Sequence, residues 1–294
     1  MEHQVVADYP CPLGEGPVWH PIKKQVYWTD IKSGQLYWFD PATGHHGLLP
    51  YSGPMVGGFT VQADGALLLF REKGNVVIWR DGKVLKTIIE QIPGQEHARF
   101  NDVWADPHGR VFCGTLGFDE PIGRFYRLDP DGTLTTLLDE VACSNGMGMT
   151  PDGKSLYYTE TGAGKIWLFD YDRATGRLDN QRTFFEVDPA GGMPDGMAID
   201  AAGRVWSALW GGWGLNCIGP DGRPVASVRL PARCVTSICF AGDRFSQMYV
   251  TTAGGEDRTA NGPYAGALFR IKTDVGGAAE FVSRVGLEGR RIDS

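Results

Sequence analysis

The chain has 294 residues, of which 42% are hydrophobic, so it is long enough to bury one large core or two ordinary ones. Its formal net charge is −7 and it contains no run of lysines and arginines, which argues against nucleic acid or an anionic membrane surface as a partner. The 41 glycines and 18 prolines favour many turns over long helices.

The N-terminal segment and the cysteines predict the compartment. The first 17 residues have neither a basic nor an apolar segment, so no secretory signal is expected, and no stretch approaches the roughly 18 apolar residues of a membrane span. The six cysteines form no C-x-x-C pair and are expected to be free thiols, mostly in the core. We therefore expect a cytoplasmic protein without a thiolate zinc site, and nothing in the sequence points beyond a monomer.

In chain order, a short strand-like segment at 3–9 is followed by six repeats. Each repeat opens with a nine-residue frame of apolar residues that ends in a turn signal, and further strand-like runs follow it. The frames are GPVWHPIKK (16–24), GGFTVQADG (57–65), NDVWADPHG (101–109), NGMGMTPDG (145–153), DGMAIDAAG (195–203) and TSICFAGDR (236–244). Equivalent positions are separated by 41, 44, 44, 50 and 41 residues. Units of about four short strands at this spacing are typical of β-propellers.

The repeats predict an all-β fold, because a helical period of 3.6 residues is nearly absent. We predict one domain over residues 1–294, a six-bladed β-propeller with four-stranded antiparallel blades around a central channel. Residues 3–9 are expected to add a strand to the last blade and so to close the ring, which hides a sheet edge. A short flexible tail is expected at about 287–294.

The first position of three frames carries an amide or a carboxylate side chain. The innermost strand of each propeller blade lines the channel, so Asn101, Asn145 and Asp195 should become neighbours at one mouth. In the first repeat Glu15 directly precedes Gly16 and is long enough to reach the same point. Two carboxylates and two amides suit a divalent cation such as Ca²⁺, Mg²⁺, Mn²⁺, Zn²⁺ or Fe²⁺. Any one of these polar residues taken alone is more often a turn residue, so the prediction rests on the repetition.

Four stretches carry a resemblance to a known family: LGEGPVW (13–19), RFND (99–102), SNG (144–146) and PDGMAID (194–200). In this order and spacing they resemble the regucalcin/gluconolactonase family, the senescence marker protein-like lactonases, over residues 11 to about 285. ALWGGWG (208–214) is similar to the bacterial sugar-lactonase branch. The resemblance implies a six-bladed propeller with one divalent cation near its axis and hydrolysis of an aldonolactone to the open-chain sugar acid.

The resemblance also implies roles for individual residues. Glu15, Asn145 and Asp195 would be the metal ligands, and Asp195 is our candidate for the general base that takes a proton from the attacking water.

Substrate contacts are implied at Arg99, at Asn101 and at an acidic residue that is either Asp119 or Glu120, of which Asp119 fits the spacing better. From its position alone, Arg99 is expected either to hold a hydroxyl-rich or anionic ligand or to form a surface ion pair.

Two other functions stay open at this point: a calcium-dependent esterase or organophosphatase, and a non-catalytic propeller that binds calcium or a partner protein.

Overall fold

A computed structural model describes residues 1–117, 123–242 and 244–287. It contains six four-stranded antiparallel sheets, and in each sheet the strands follow one another in chain order except where the ring closes. The innermost strands are β2 (Gly14–His20), β6 (Val56–Val61), β10 (Ala98–Ala105), β14 (Ser144–Met149), β18 (Met193–Ile199) and β22 (Cys234–Ala241). These strands begin at or just before the six predicted frames, so the six-bladed propeller is confirmed.

The remaining strands lie progressively further from the axis. The second strands are β3 (Gln25–Asp30), β7 (Leu67–Arg71), β11 (Val111–Gly117), β15 (Ser155–Glu160), β19 (Val205–Trp210) and β23 (Gln247–Ala253). The third strands are β4 (Gln35–Phe39), β8 (Val76–Arg80), β12 (Gly123–Leu128), β16 (Lys165–Tyr171), β20 (Gly214–Ile218) and β24 (Leu268–Lys272). The outer strands are β1 (His3–Ala7), β5 (His46–Leu48), β9 (Lys83–Ile89), β13 (Leu134–Val141), β17 (Leu178–Glu186) and β21 (Pro224–Arg229).

The ring closes as predicted. Strand β1 pairs antiparallel with β24, with His3 opposite Ile271, so the N-terminus supplies the outer strand of the blade that the C-terminal part builds. Each inner strand contacts the inner strands of both neighbouring blades. The apolar core is divided accordingly into six clusters, each between two adjacent blades. Burial of apolar sheet faces against each other is the main force that holds such blades together.

The segment after β24 crosses the far end of the channel. Gly277 forms an isolated β-bridge with Asp200, and Ser283 forms one with Gln62 on the opposite side of the ring. Leu287 is the last residue that the structure describes, so nearly all of the predicted flexible tail lies outside the described residues. Within the described part of the chain, no helix has the length and apolarity that crossing a membrane requires.

Candidate metal and substrate site

Every inner strand has a β-bulge near its start, at the first positions of the frame. The pairing register shifts between Glu15 and Val18, Val56 and Gly58, Phe100 and Val103, Ser144 and Met147, Pro194 and Met197, and Val235 and Ser237. Asn101, Asn145 and Asp195 lie inside these bulges. A bulge leaves residues out of the ladder and re-aims their side chains, which explains why poor strand formers recur here.

The three predicted metal ligands come together at this end of the channel. We call Glu15, Asn145 and Asp195 the oxygen cluster; each side chain is at most 4% exposed. Burial, followed by the nearby charges of Asp195 and Asp102, raises the pKa of Glu15 well above its ordinary value. Burial and Asp102 likewise raise the pKa of Asp195. Two carboxylates are therefore crowded together in a poorly solvated place, where a cation would stabilise their ionised forms.

Asp102 is a third carboxylate at this site, and sequence reasoning missed it. It occupies the second position of its frame, where the other repeats carry Pro17, Gly58, Gly146, Gly196 and Ser237. Burial raises the pKa of Asp102 to about 7, and the positive charge of Arg99 opposes that rise. The signal that was available is the departure from small residues at this repeat position.

Thr161 orients the amide of Asn145. The Thr161 hydroxyl donates to the backbone oxygen of Pro194 at 2.7 Å and accepts a hydrogen bond from Nδ2 of Asn145 at 2.8 Å. Because the nitrogen end is held in this way, Oδ1 of Asn145 is the free end of the amide. Thr161 was not predicted, since it lies 16 residues from Asn145 at the turn after β15.

Arg99 and Asn101 form one network that crosses between blades. Nη1 of Arg99 donates to Oδ1 of Asn101 at 2.7 Å, and Nδ2 of Asn101 donates to the backbone oxygen of Ser144 at 2.7 Å. Arg99 is 9% exposed, so it lies inside the channel mouth and is not part of a surface ion pair. The half-buried Cys143 lies beside both amides, with Sγ 3.7 Å from Nδ2 of Asn145.

The donor set fits a hard divalent cation. The oxygen cluster offers two carboxylates and one amide. Asp102 lies near it but completes no group of three His, Cys, Asp or Glu side chains that could hold a metal among the described residues. Oδ1 of Asn145 and Oδ1 of Asp195 are both buried, and neither has a hydrogen-bond partner in the described part of the chain. A buried oxygen without a donor costs about 1–3 kcal/mol, which a bound cation would offset.

Two predicted positions fall outside this description. Asp119 and Glu120, the alternatives for an acidic substrate contact, lie in the gap between residues 117 and 123.

The six cysteines are free thiols, five of them buried, as predicted.

Comparison with known proteins places the chain in a family. Residues 13–254 match the SMP-30/gluconolactonase/LRE-like region. The chain belongs to this family. The matched region spans the oxygen cluster, Arg99 and Asn101, and the resemblance seen in the sequence is confirmed.

Similar proteins include several lactonases. The pentonolactonase XacC of Haloferax volcanii is 43% identical, over 96% of this chain and 98% of its own length. The 6-deoxy-6-sulfogluconolactonase of Pseudomonas putida is 31% identical, over 94% and 97%. The crystal structure of regucalcin from Agrobacterium tumefaciens, described as a calcium-binding protein, superposes with a TM-score of 0.89 at 26% identity, covering 97% of this chain and 98% of that one.

Proposed function

We propose that this protein hydrolyses a sugar lactone to the open-chain sugar acid, at a site where Glu15, Asn145 and Asp195 hold one divalent cation. The observation that carries the proposal is the pair of buried oxygens on Asn145 and Asp195, neither of which has a hydrogen-bond partner among the described residues, together with the buried carboxylate of Glu15. The names of the lactonase relatives support the reaction class. A cation bound there would polarise the lactone carbonyl and favour charge development on its oxygen, a contribution of several kcal/mol in typical enzymes.

Asp195 is the proposed general base. Ester hydrolysis needs a group that removes a proton from the attacking water, and Oδ1 of Asp195 is buried without a partner to compete for that proton. A neighbouring cation would favour the ionised carboxylate against the burial that otherwise raises the pKa of Asp195.

Arg99 is the proposed anchor for the substrate hydroxyls. Only its Nη1 has hydrogen-bond partners, the oxygens of Phe100 and Asn101, so Nε and Nη2 remain as donors within the described part of the site. Asn101 already uses Nδ2 on Ser144, so its proposed substrate contact is through the remaining acceptor capacity of Oδ1. Asp119 remains a proposal for the acidic contact.

The proposal is tested by titrating acid release from a panel of pentono-, hexono- and deoxy-lactones, with Ca²⁺, Mg²⁺, Mn²⁺, Zn²⁺ and Fe²⁺ supplied singly to chelator-treated protein. We expect the protein to hydrolyse at least one lactone. This activity should be lost when the cation is chelated and restored when a preferred cation is added. Turnover indifferent to chelation would reject the cation's role. Uniform inactivity on all lactones, together with tight calcium binding, would favour a non-catalytic calcium-binding propeller.

A further inference from the structure

A cavity opens between the fifth and sixth blades. Its volume is about 590 Å³, and its lining includes Met193, Trp210, Arg233, Cys234 and Asn261. Met193 and Cys234 begin the inner strands β18 and β22, so this cavity lies at the same end of the channel as the cluster. We call it the Arg233 lobe.

The lobe adjoins the cluster along the inner strands β18 and β22. Met193 precedes Asp195 by two residues on β18, and Cys234 begins β22, the inner strand that packs against β18. A sugar lactone whose carbonyl lies at Asp195 would reach the lobe by extending along the strand over these two residues, a distance of about 7 Å.

The backbone of Arg233 is held firmly while its side chain is left available. Its N–H donates to the backbone oxygen of Asn261 at 2.7 Å, and its carbonyl accepts from the N–H of Trp213 at 3.0 Å. The amide of Asn261 is itself anchored on the backbone oxygen of Gly254 at 3.1 Å. The guanidinium of Arg233 has no hydrogen bond or ion pair to any residue that the structure describes.

Arg229 provides a contrast four residues earlier. It is also exposed, but its guanidinium lies over the ring of Trp213 at 5.5 Å from the centroid, outside the lobe. Of these two arginines, only Arg233 lines the cavity with its donors uncommitted.

We propose that the Arg233 lobe is a subsite for a negatively charged group at the end of the substrate remote from the lactone carbonyl, so that acidic sugar lactones are preferred over neutral ones. This inference rests on the proposed lactone hydrolysis. A planar guanidinium binds a carboxylate or sulfonate through two parallel hydrogen bonds, which a neutral hydroxymethyl group cannot match. The aromatic ring of Trp210 gives the lobe an apolar wall for the carbon chain between the two ends.

The test uses two lactones that differ only at C6: D-glucaro-1,4-lactone, which carries a carboxylate there, and D-glucono-1,4-lactone, which carries a hydroxymethyl group. We expect the wild type to have the higher kcat/KM on the acidic lactone. In Arg233→Gln the acidic-to-neutral ratio should fall about tenfold, mainly through KM, which is a modest value for an exposed charge. Arg233→Lys should recover part of the ratio, and Arg229→Gln, which removes the same charge nearby, should keep it.

Two results would overturn the subsite: a wild type that prefers the neutral lactone, or an Arg233→Gln variant that loses activity equally on both. Inactivity on every lactone would instead reject the proposed function. In that case the subsite is tested by ligand binding: isothermal titration calorimetry with glucarate and gluconate measures affinity without turnover. Tighter binding of glucarate that depends on Arg233 supports it, and equal binding of the two acids overturns it.

Discussion

Asp195 and Asp200 lie five residues apart, at opposite ends of one inner strand, and both are buried. Asp200, in the hairpin that follows β18, accepts hydrogen bonds from Nε of Arg204 at 2.6 Å and from Nε1 of Trp206 at 2.9 Å. It also accepts from the backbone N–H groups of Ala202 and Arg204. Asp195, in the bulge at the other end, leaves Oδ1 without any partner among the described residues.

The same contrast appears two blades earlier. Asp106 accepts from Nε of Arg110 and from the hydroxyl of Tyr171, whereas the bulge of that strand places Asp102 in the channel with a raised pKa. Burial and residue type thus fail to separate structural from functional carboxylates in this fold. What separates them is whether the protein itself supplies their partners, since a satisfied buried charge stabilises the fold and an unsatisfied one is suited to a ligand.

The largest expected effect is on turnover in Asp195→Asn. This change keeps the shape of the side chain and removes its charge, so the protein loses its proposed general base and a cation ligand together. We expect kcat to fall by at least about 10³-fold, with the thermal unfolding temperature of the metal-free protein kept or raised, because a crowded carboxylate is gone. Near-normal turnover in a cation-loaded sample would refute the role of Asp195.

The variant to compare with Asp195→Asn is Asp200→Asn, which should lower the stability of the fold. An amide has one acceptor oxygen in place of two, so its NH2 group must face either Arg204 and Trp206 or the backbone N–H groups of Ala202 and Arg204. We expect this to cost about 3 kcal/mol in the free energy of unfolding, measured by urea denaturation. Asp221→Asn is the matched control in the same blade, because its pair with Arg223 is long, at 3.7 Å, and mostly exposed. It should change stability by less than about 0.5 kcal/mol; equal losses in both variants would contradict the distinction.

Thr161→Val should weaken cation binding through Asn145. Without the hydroxyl, Nδ2 of Asn145 loses its partner and the amide is free to turn its nitrogen toward the cluster. We expect the cation Kd to rise about 10- to 100-fold, as for other residues that orient metal ligands, measured by titration calorimetry. Thr159→Val is the control, since the hydroxyl of Thr159 is buried without a partner in the described structure and its loss should leave Kd unchanged.

The most gradual effect is on how stability depends on pH in metal-free protein. The pKa of Asp102 is about 7 in the folded chain, against about 4 for an unperturbed Asp, so the folded state binds more protons between these values. Stability should therefore fall as pH rises from 4 to 7, by at most about 1.4 kcal/mol per pH unit from this one group. Asp102→Asn should flatten the slope seen in urea unfolding at several pH values. A slope identical to that of the wild type would show that Asp102 does not titrate in this range.

The sequence alone determined the propeller, because six copies of one frame admit a single repeated structural unit and residues 3–9 had an obvious edge to cover. The repeats also predicted that Asn101, Asn145 and Asp195 would gather at one mouth with Glu15, and the resemblance to the lactonase family implied which three of them form the oxygen cluster. The sequence did not reveal Asp102, whose significance depends on the small residues that occupy its place in the neighbouring blades. Nor did it reveal Thr161, whose hydroxyl joins Asn145 on β14 to Pro194 on β18.

Tertiary structure decided which polar atoms find partners, and that follows from distances between blades rather than from the order of residues. Asn101 was grouped with Asn145 by its position in the repeat. The side-chain amide of Asn101, however, bonds to the backbone of Ser144 and to Arg99, whereas the amide oxygen of Asn145 has no partner among the described residues. Arg233 gave no signal in the sequence, because its importance lies in a cavity formed by two blades. Repetition therefore predicts where side chains gather, and only packing determines which of them remain available to a ligand.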